Sequence, residues 1–261
     1  MKLATLMYHD VIGADGVRGG FEGDGPALYA VPAERFERQM DAVRAAVGGP
    51  PRSAGDALRR GGPGMPWLLT FDDGGSSAAA VGASLARRGW PAHFFVVTDL
   101  VGKPGFLDWD GVRALAAQGH VVGSHSCSHP ARMADCTPAQ LAEEWSRSVA
   151  ALERELGGRV ACASVPGGHY SAAVGRAAAA AGIETLFTSE PRRASGAVVG
   201  CALIGRFAVR GATPDATVIA AASGSAGPWL RQRAAWEARG LAKRLGGRHY
   251  ERLRRAVLAR R

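Results

Sequence analysis

Trp67-Leu68-Leu69-Thr70-Phe71-Asp72-Asp73-Gly74 is the stretch on which the reading of this 261-residue chain turns. Five strand-forming residues sit between Pro66 and an Asp-Gly turn signal, which predicts a short buried strand. Two adjacent carboxylates close it. Neighbouring side chains on extended backbone point in opposite directions. One aspartate is therefore free to bind a metal while the other faces a different part of the pocket. The plainer alternative is a turn whose aspartate caps the next helix.

Outward from that strand, apolar runs alternate with helical patterns. Leu3–Tyr8 reads as a strand and residues 13–30 as a long polar, Gly-rich loop. Pro32 opens a helix with Phe36, Met40 and Val43 on one face. Residues 53–66 read as a second loop with room for one helical turn. A helix over 76–88, a strand over 92–98, a helix over 109–118 and a strand over 120–124 follow. Thr137 caps a long helix with Pro138 at its first position and Gly157 past its end. Strands over 160–165, 185–189 and 202–209 and a helix over 172–181 complete the pattern. Repeated βα units imply a mostly parallel sheet covered by helices. Seven or so strands point to a barrel, open or closed, with functional groups at the C-terminal strand ends.

The strand over 120–124 ends in His125-Ser126-Cys127-Ser128-His129. A spacing of four puts both imidazoles on one side of a helical turn, which suits a divalent metal. A surface histidine pair is the bland alternative. Joined to the strand-end aspartates, the pair makes a two-His-one-carboxylate site with positions open for water and substrate.

Thr70–Gly74 and His125–His129 resemble the first two motifs of the polysaccharide deacetylase (NodB-homology, carbohydrate esterase family 4-like) family, in order and spacing. Residues 91–97 and 109–123 are similar to the family's intervening elements, and the resemblance runs from about Leu6 to Phe207. It implies an α/β fold, a distorted (β/α)7-type barrel of the NodB-homology kind, over residues 1–226. It also implies a metal-dependent hydrolase that removes an N-acetyl group from an amino sugar. Asp73, His125 and His129 are then the metal ligands and Asp72 the general base. The metal is one divalent ion, zinc first, with cobalt, nickel or iron also fitting. The family's third motif is matched by Ser164-Val165-Pro166-Gly167-Gly168. Gly167 stands where the family uses a backbone N–H for the oxyanion, and Pro166, Gly168 and Tyr170 fall at substrate-binding positions. The motif's arginine is replaced by Ser164, and Arg206 on a late strand is the candidate to stand in for it. Leu6-Met7-Tyr8-His9-Asp10 resembles the N-terminal Tyr-His of one branch, which makes His9 the general acid, with His169-Tyr170 as the rival. A formamide or cyclic-amide hydrolase on the same fold, or a non-catalytic sugar-binding barrel, are the competing functions.

Three other residues read as structural. Asp110 is expected to cap the helix that starts at Trp109. Cys127 and His93 are expected to be packed in the core.

Charge is unevenly spread. Residues 231–261 hold 11 Lys+Arg and 2 Asp+Glu, so the formal +9 of the whole chain sits there and the rest is neutral. Residues 227–261 therefore read as a basic amphipathic helical extension, with Trp229, Trp236, Leu241, Leu245, Leu253 and Leu258 among arginines. Two helical stretches break at Gly246–Gly247. Such a pattern suits peripheral contact with a membrane or docking on the barrel, and no nucleic acid is expected. Cys127, Cys136, Cys162 and Cys201 form no CxxC pair. His9 and Asp10 interrupt the first apolar run before a signal segment forms. The expected location is the cytoplasm, with possible attachment to the inner membrane face, and the expected partner is an N-acetylated amino sugar.

Overall fold

A computed structural model describes residues 1–14, 16–60 and 64–241. Its centre is a curled nine-stranded half-barrel sheet in the order β11-β1-β4-β5-β6-β7-β8-β10-β9. The strands are β1 (Ala4–Tyr8), β4 (Trp67–Phe71), β5 (His93–Val96), β6 (Val121–Ser124), β7 (Cys162–Ser164), β8 (Thr185–Phe187), β9 (Gly196–Val198), β10 (Cys201–Ile204) and β11 (Phe207–Ala208). All pair in parallel except β9, which runs antiparallel to β10. A separate two-stranded pair joins β2 (Asp10–Ile12) to β3 (Ala30–Pro32).

Period-two alternation builds the barrel in layers. In β4, Trp67, Leu69 and Phe71 point outward into the large core beneath the helices. Leu68 points inward and joins Leu3, Phe95, Phe187 and Ile204 in a smaller cluster that fills the barrel floor. Thr70 and Asp72 share the parity of Leu68, so both face the interior one and two layers higher.

Helices α2 (Ala33–Val47), α4 (Ala78–Arg87), α5 (Trp109–Ala117), α6 (Pro138–Leu156), α7 (Ala172–Ala180) and α8 (Asp215–Ala222) cover the outer face, while α1 (Asp24–Ala27) is a single turn within the first loop. The α6 boundaries follow from its caps. Thr137 and Gln140 form a capping box, and Gly157 ends the helix in a left-handed conformation.

Four sequence expectations are corrected. The first loop contains α1 and runs into β3, a strand hidden from local reading because its pairing partner, Asp10–Ile12, is distant in sequence. The second contains α3 (Ala54–Arg60), a seven-residue helix whose buried alanines plug the floor; two small residues give no helical period to read. The cap of α5 is Asp108, which accepts from the Gly111 N–H at 2.8 Å, whereas Asp110 sits in the first turn and pairs with Arg113. The strand expected over 202–209 breaks at Gly205–Arg206. β10 pairs with β8, but β11 pairs with β1 on the far side of the opening.

Those two residues carry the chain across the gap in the barrel. Three residue steps from Ile204 to Phe207 reach at most about 11 Å, so the opening is narrow there. Gly205 is required at the crossing. A Cβ on it would lie 2.5 Å from the Glu190 carbonyl oxygen and 2.6 Å from that of Arg192.

The free edge of β11 is covered by the chain that follows. Residues 226–241 are helical. Trp229 is buried, packs its ring 5.7 Å from Phe207, and donates to the Ala221 carbonyl. The Gln232 side chain both accepts from the Ala208 N–H (2.8 Å) and donates to the Ala208 carbonyl (2.9 Å), as a neighbouring strand would. Trp236 and Leu241 are exposed. The expectations for Leu245, Gly246–Gly247, Leu253 and Leu258 lie outside the described residues. No helix among the described residues is long and apolar enough to cross a membrane.

Candidate active site

Asp72 and Asp73 leave the C-terminal end of β4 together and then diverge. Asp73 turns into the left-handed region at φ 76, so the simple opposite-facing geometry of a strand does not apply. Its Oδ1 lies 3.4 Å from His125 Nε2 and 3.6 Å from His129 Nε2. One donor atom from each of the three side chains falls within 4.8 Å of the others.

His125 and His129 do not sit on a helical turn, as their spacing predicted. The segment is a loop, with Ser126 at φ 64 and His129 at φ 57. Non-glycine residues held there store strain that the surroundings must offset. The surroundings are visible. Ser126 N–H donates to Ser124 Oγ, which bonds Ser148 of α6, and His129 N–H donates to Ser126 Oγ. The Glu144 carboxylate of α6 accepts from the N–H groups of Cys127 (3.0 Å) and Ser128 (2.9 Å). Cys127 is packed away beneath this loop, and burial pushes its thiol up to about 12.

The donor set fits a divalent cation. Zinc bonds of about 2.0–2.1 Å in a tetrahedron place ligand atoms about 3.3 Å apart, close to the separations of Asp73 from the two imidazoles. His125 Nδ1 lies 2.9 Å from the Ser164 carbonyl. A carbonyl only accepts, so Nδ1 carries a proton and Nε2 is the atom turned towards Asp73 and His129; burial lowers the pKa of this ring, but the charges of Asp72 and Asp73 outweigh it and raise it. Burial, followed by the neighbouring His125, holds His129 down to about 4, so it is neutral and ready to ligate.

Asp72 is built differently. It is buried, and Arg206, fully buried beside it, donates from Nη1 to Oδ1 at 2.6 Å and from Nη2 to Oδ2 at 2.8 Å. The remaining donors of the guanidinium reach Thr70 Oγ1 (3.2 Å), Ser164 Oγ (2.7 Å) and the Thr188 carbonyl (3.1 Å). All five N–H groups are satisfied. Burial alone would raise the Asp72 carboxyl, but Arg206 and then His125 hold it well below the usual carboxylate range. Ser164, the residue that replaces the family's arginine, is thus a member of the arginine's cradle. Thr188 carried no signal in the sequence, and Thr70, though within the first motif, was given no role; its inward parity with Asp72 was the signal for one.

His9 follows β1 at the same end of the sheet. Its ring lies 4.3 Å from that of Tyr29, and its Nδ1 is buried without a partner. Burial lowers its pKa, opposed by the charges of Asp73 and Asp72. On the other side, Phe21 lies 4.6 Å from the His129 ring and 5.3 Å from Phe106. Tyr29, Phe21 and Phe106 carry no motif and were not singled out. Their loops meet through glycines: a Cβ on Gly75 would lie 2.7 Å from the Gly20 nitrogen.

The third-motif residues lie beyond β7. Pro166 is buried, Gly167 is left-handed at φ 62, and Gly168 packs against Ser189. Tyr170 packs over Gly175 of α7. His93 is a satisfied core histidine: Nε2 accepts from the Ala54 N–H and Nδ1 donates to the Leu69 carbonyl.

The site is thus a carboxylate–imidazole cluster beside an arginine-paired carboxylate at the C-terminal rim of an α/β half-barrel. The polysaccharide deacetylase family profile matches residues 59–186. Over that stretch, just under half of its length, the chain resembles the polysaccharide deacetylase family. Among solved structures, the deacetylase PplD of Streptococcus pyogenes, in complex with acetate, is 19% identical with a TM-score of 0.70 and covers 85% of this chain and 98% of its own. IcaB from Ammonifex degensii is 24% identical with a TM-score of 0.67, over 87% and 97% of the two chains. A gellan lyase from a Bacillus species is 35% identical over 101 residues, which are 38% of this chain and 4% of that protein.

Proposed function

We propose that this protein is a metal-dependent carbohydrate N-deacetylase that hydrolyses the acetamide of an N-acetylated amino sugar. The observation that carries it is the side-by-side placement of two carboxylates with different partners: Asp73 against two imidazole Nε2 atoms, Asp72 against a five-times-bonded arginine. Asp73, His125 and His129 would hold the cation, zinc on the strength of its donor set. Bound there, it polarises the amide carbonyl and makes a water molecule more acidic.

Asp72 takes the proton of the attacking water. Arg206 keeps that carboxylate ionised and fixed in orientation, so the base is always in its accepting form. The Gly167 N–H donates to the oxygen that gains charge as the carbonyl carbon becomes tetrahedral. His9 delivers a proton to the departing amine nitrogen, and acetate and the free amine leave. Pro166 and Gly168 shape the pocket wall beside that oxygen.

The test pairs elemental analysis with acetate release from N-acetylated sugars. About one zinc per chain in the wild type, little in His125→Ala/His129→Ala, and acetate from the wild type alone are expected. A metal-loaded wild type that releases no acetate from any acetylated sugar would refute the assignment.

A further inference from the structure

Arg210 is a cation with no anion beside it. It follows β11 at the rim where His9, Asp72 and His125 also emerge. Its guanidinium carbon lies 5.3 Å from the centroid of the Tyr29 ring, and that ring lies 4.3 Å from His9. Its Nε is buried and has no acceptor. Among the described residues no carboxylate pairs with it, whereas the half-buried Arg35 and Arg88 and the fully buried Arg206 each hold one or two. A ring face steadies a guanidinium, but it offers no oxygen to the N–H groups lying in the guanidinium plane.

The neighbourhood is rigid. Gly211 N–H donates to the Leu28 carbonyl, and Arg35 ties the carbonyls of Gly211 and Thr213 to α2. Arg210 N–H donates to Thr213 Oγ1 at 2.9 Å. The backbone on both sides of Tyr29 and Arg210 is therefore tied down, and the guanidinium rests beside the Tyr29 ring. Such a fork matches the paired oxygens of a phosphate or carboxylate, and prior ordering lowers the cost of binding one.

We propose that Arg210 binds an oxyanion, a phosphate or a carboxylate, that the substrate carries close to its acylamino group. The inference rests on the deacetylase reading and narrows it: the sugar is anionic, and Arg210 is the residue that selects it. Tyr29 acts through Arg210 as a positioning residue.

Isothermal titration of zinc-loaded wild type, Arg210→Gln and Arg210→Lys with N-acetylglucosamine, its 1-phosphate and N-acetylmuramate tests this, with circular dichroism to verify folding. The wild type is expected to bind one of the anionic sugars about tenfold or more tighter than the neutral one. Arg210→Gln should erase the difference without weakening the neutral sugar, and Arg210→Lys should keep part of it. Preference for the 1-phosphate or for the muramate tells which oxyanion is read. No difference between neutral and anionic sugars, including no detectable binding of any, overturns the proposal. So does an equal loss for all three in Arg210→Gln, which marks a purely structural clamp. Acetate release in the same series separates the two readings. A charge preference in binding without acetate from any sugar defeats the deacetylase assignment alone, and acetate from all without preference defeats only this one.

Discussion

Asp72 and Asp73 are chemically identical neighbours, yet the two sides of the site treat them in opposite ways. On the β6–α6 side, Asp73 meets two imidazole Nε2 atoms on a strained loop. On the β7–β11 side, Asp72 meets a buried guanidinium whose every donor is used. The bidentate arginine already balances the charge of Asp72, whereas Asp73 faces two imidazole nitrogens and, among the described residues, no guanidinium. In the proposed mechanism the partner, more than the residue type, separates the aspartate that ligates from the one that accepts a proton.

The contrast can be broken by removing one side at a time. The largest effect is expected from His129→Ala, which should empty the metal centre and lower acetate release by on the order of 10³-fold. The Asp72–Arg206 pair should survive, seen as an unfolding midpoint close to that of the metal-free wild type. Next, Arg206→Met should leave metal content intact but lower kcat by roughly 10²-fold, since the base loses its orienting partner. Breaking a buried pair should also cost about 3–5 kcal/mol. Adding Asp72→Asn should return part of that stability and none of the activity. Loss of metal in Arg206→Met would show that the two sides are not separable.

His93 sharpens the contrast with a polar group from the same interior that has no part in the chemistry. Burial lowers it from 6.5 to about 4. The unfolded chain therefore takes up a proton as pH falls through 6.5 while the fold resists until about 4. Stability is lost across that window as pH falls, by at most about 3 kcal/mol. His93→Gln should be less stable near neutrality by about 1–3 kcal/mol but lose less on acidification, measured by urea midpoints at several pH values. The smallest effect is expected from Ser164→Ala. It removes one of two acceptors of Arg206 Nη2, and a few-fold fall in kcat with about 1 kcal/mol of stability is expected.

The cluster of Asp73, His125 and His129 was legible because it is local. Asp73 closes one strand, His125 closes another, and His129 is four residues on. The fold was legible for the same reason: each βα unit carries its own apolar pattern and caps, Thr137 and Gly157 most plainly. What stayed hidden depends on contacts between distant segments. The 202–209 run looks like one strand, because alternation cannot reveal that its halves pair with opposite ends of the sheet. Arg206 was placed near the base only as a candidate, since nothing local distinguishes a buried arginine from one at the surface. Tyr29, Phe21 and Phe106 lie in loops whose closeness is set by glycine packing.

The crossing at Gly205–Arg206 also has a meaning in time. During synthesis the ribosome delivers Asp72, Asp73, His125 and His129 well before residue 206, and N-terminal parts of a chain begin to organise first. A nascent chain can gather its cation ligands while Asp72 still lacks a counter-charge, which a carboxylate in an apolar interior tolerates only as the acid or in contact with water. The strand that arrives last therefore does two things at once: it crosses the opening of the half-barrel and brings Asp72 its counter-charge. On the proposed reading, a chain that stops short of residue 206 would own every cation ligand and still lack the partner of its base.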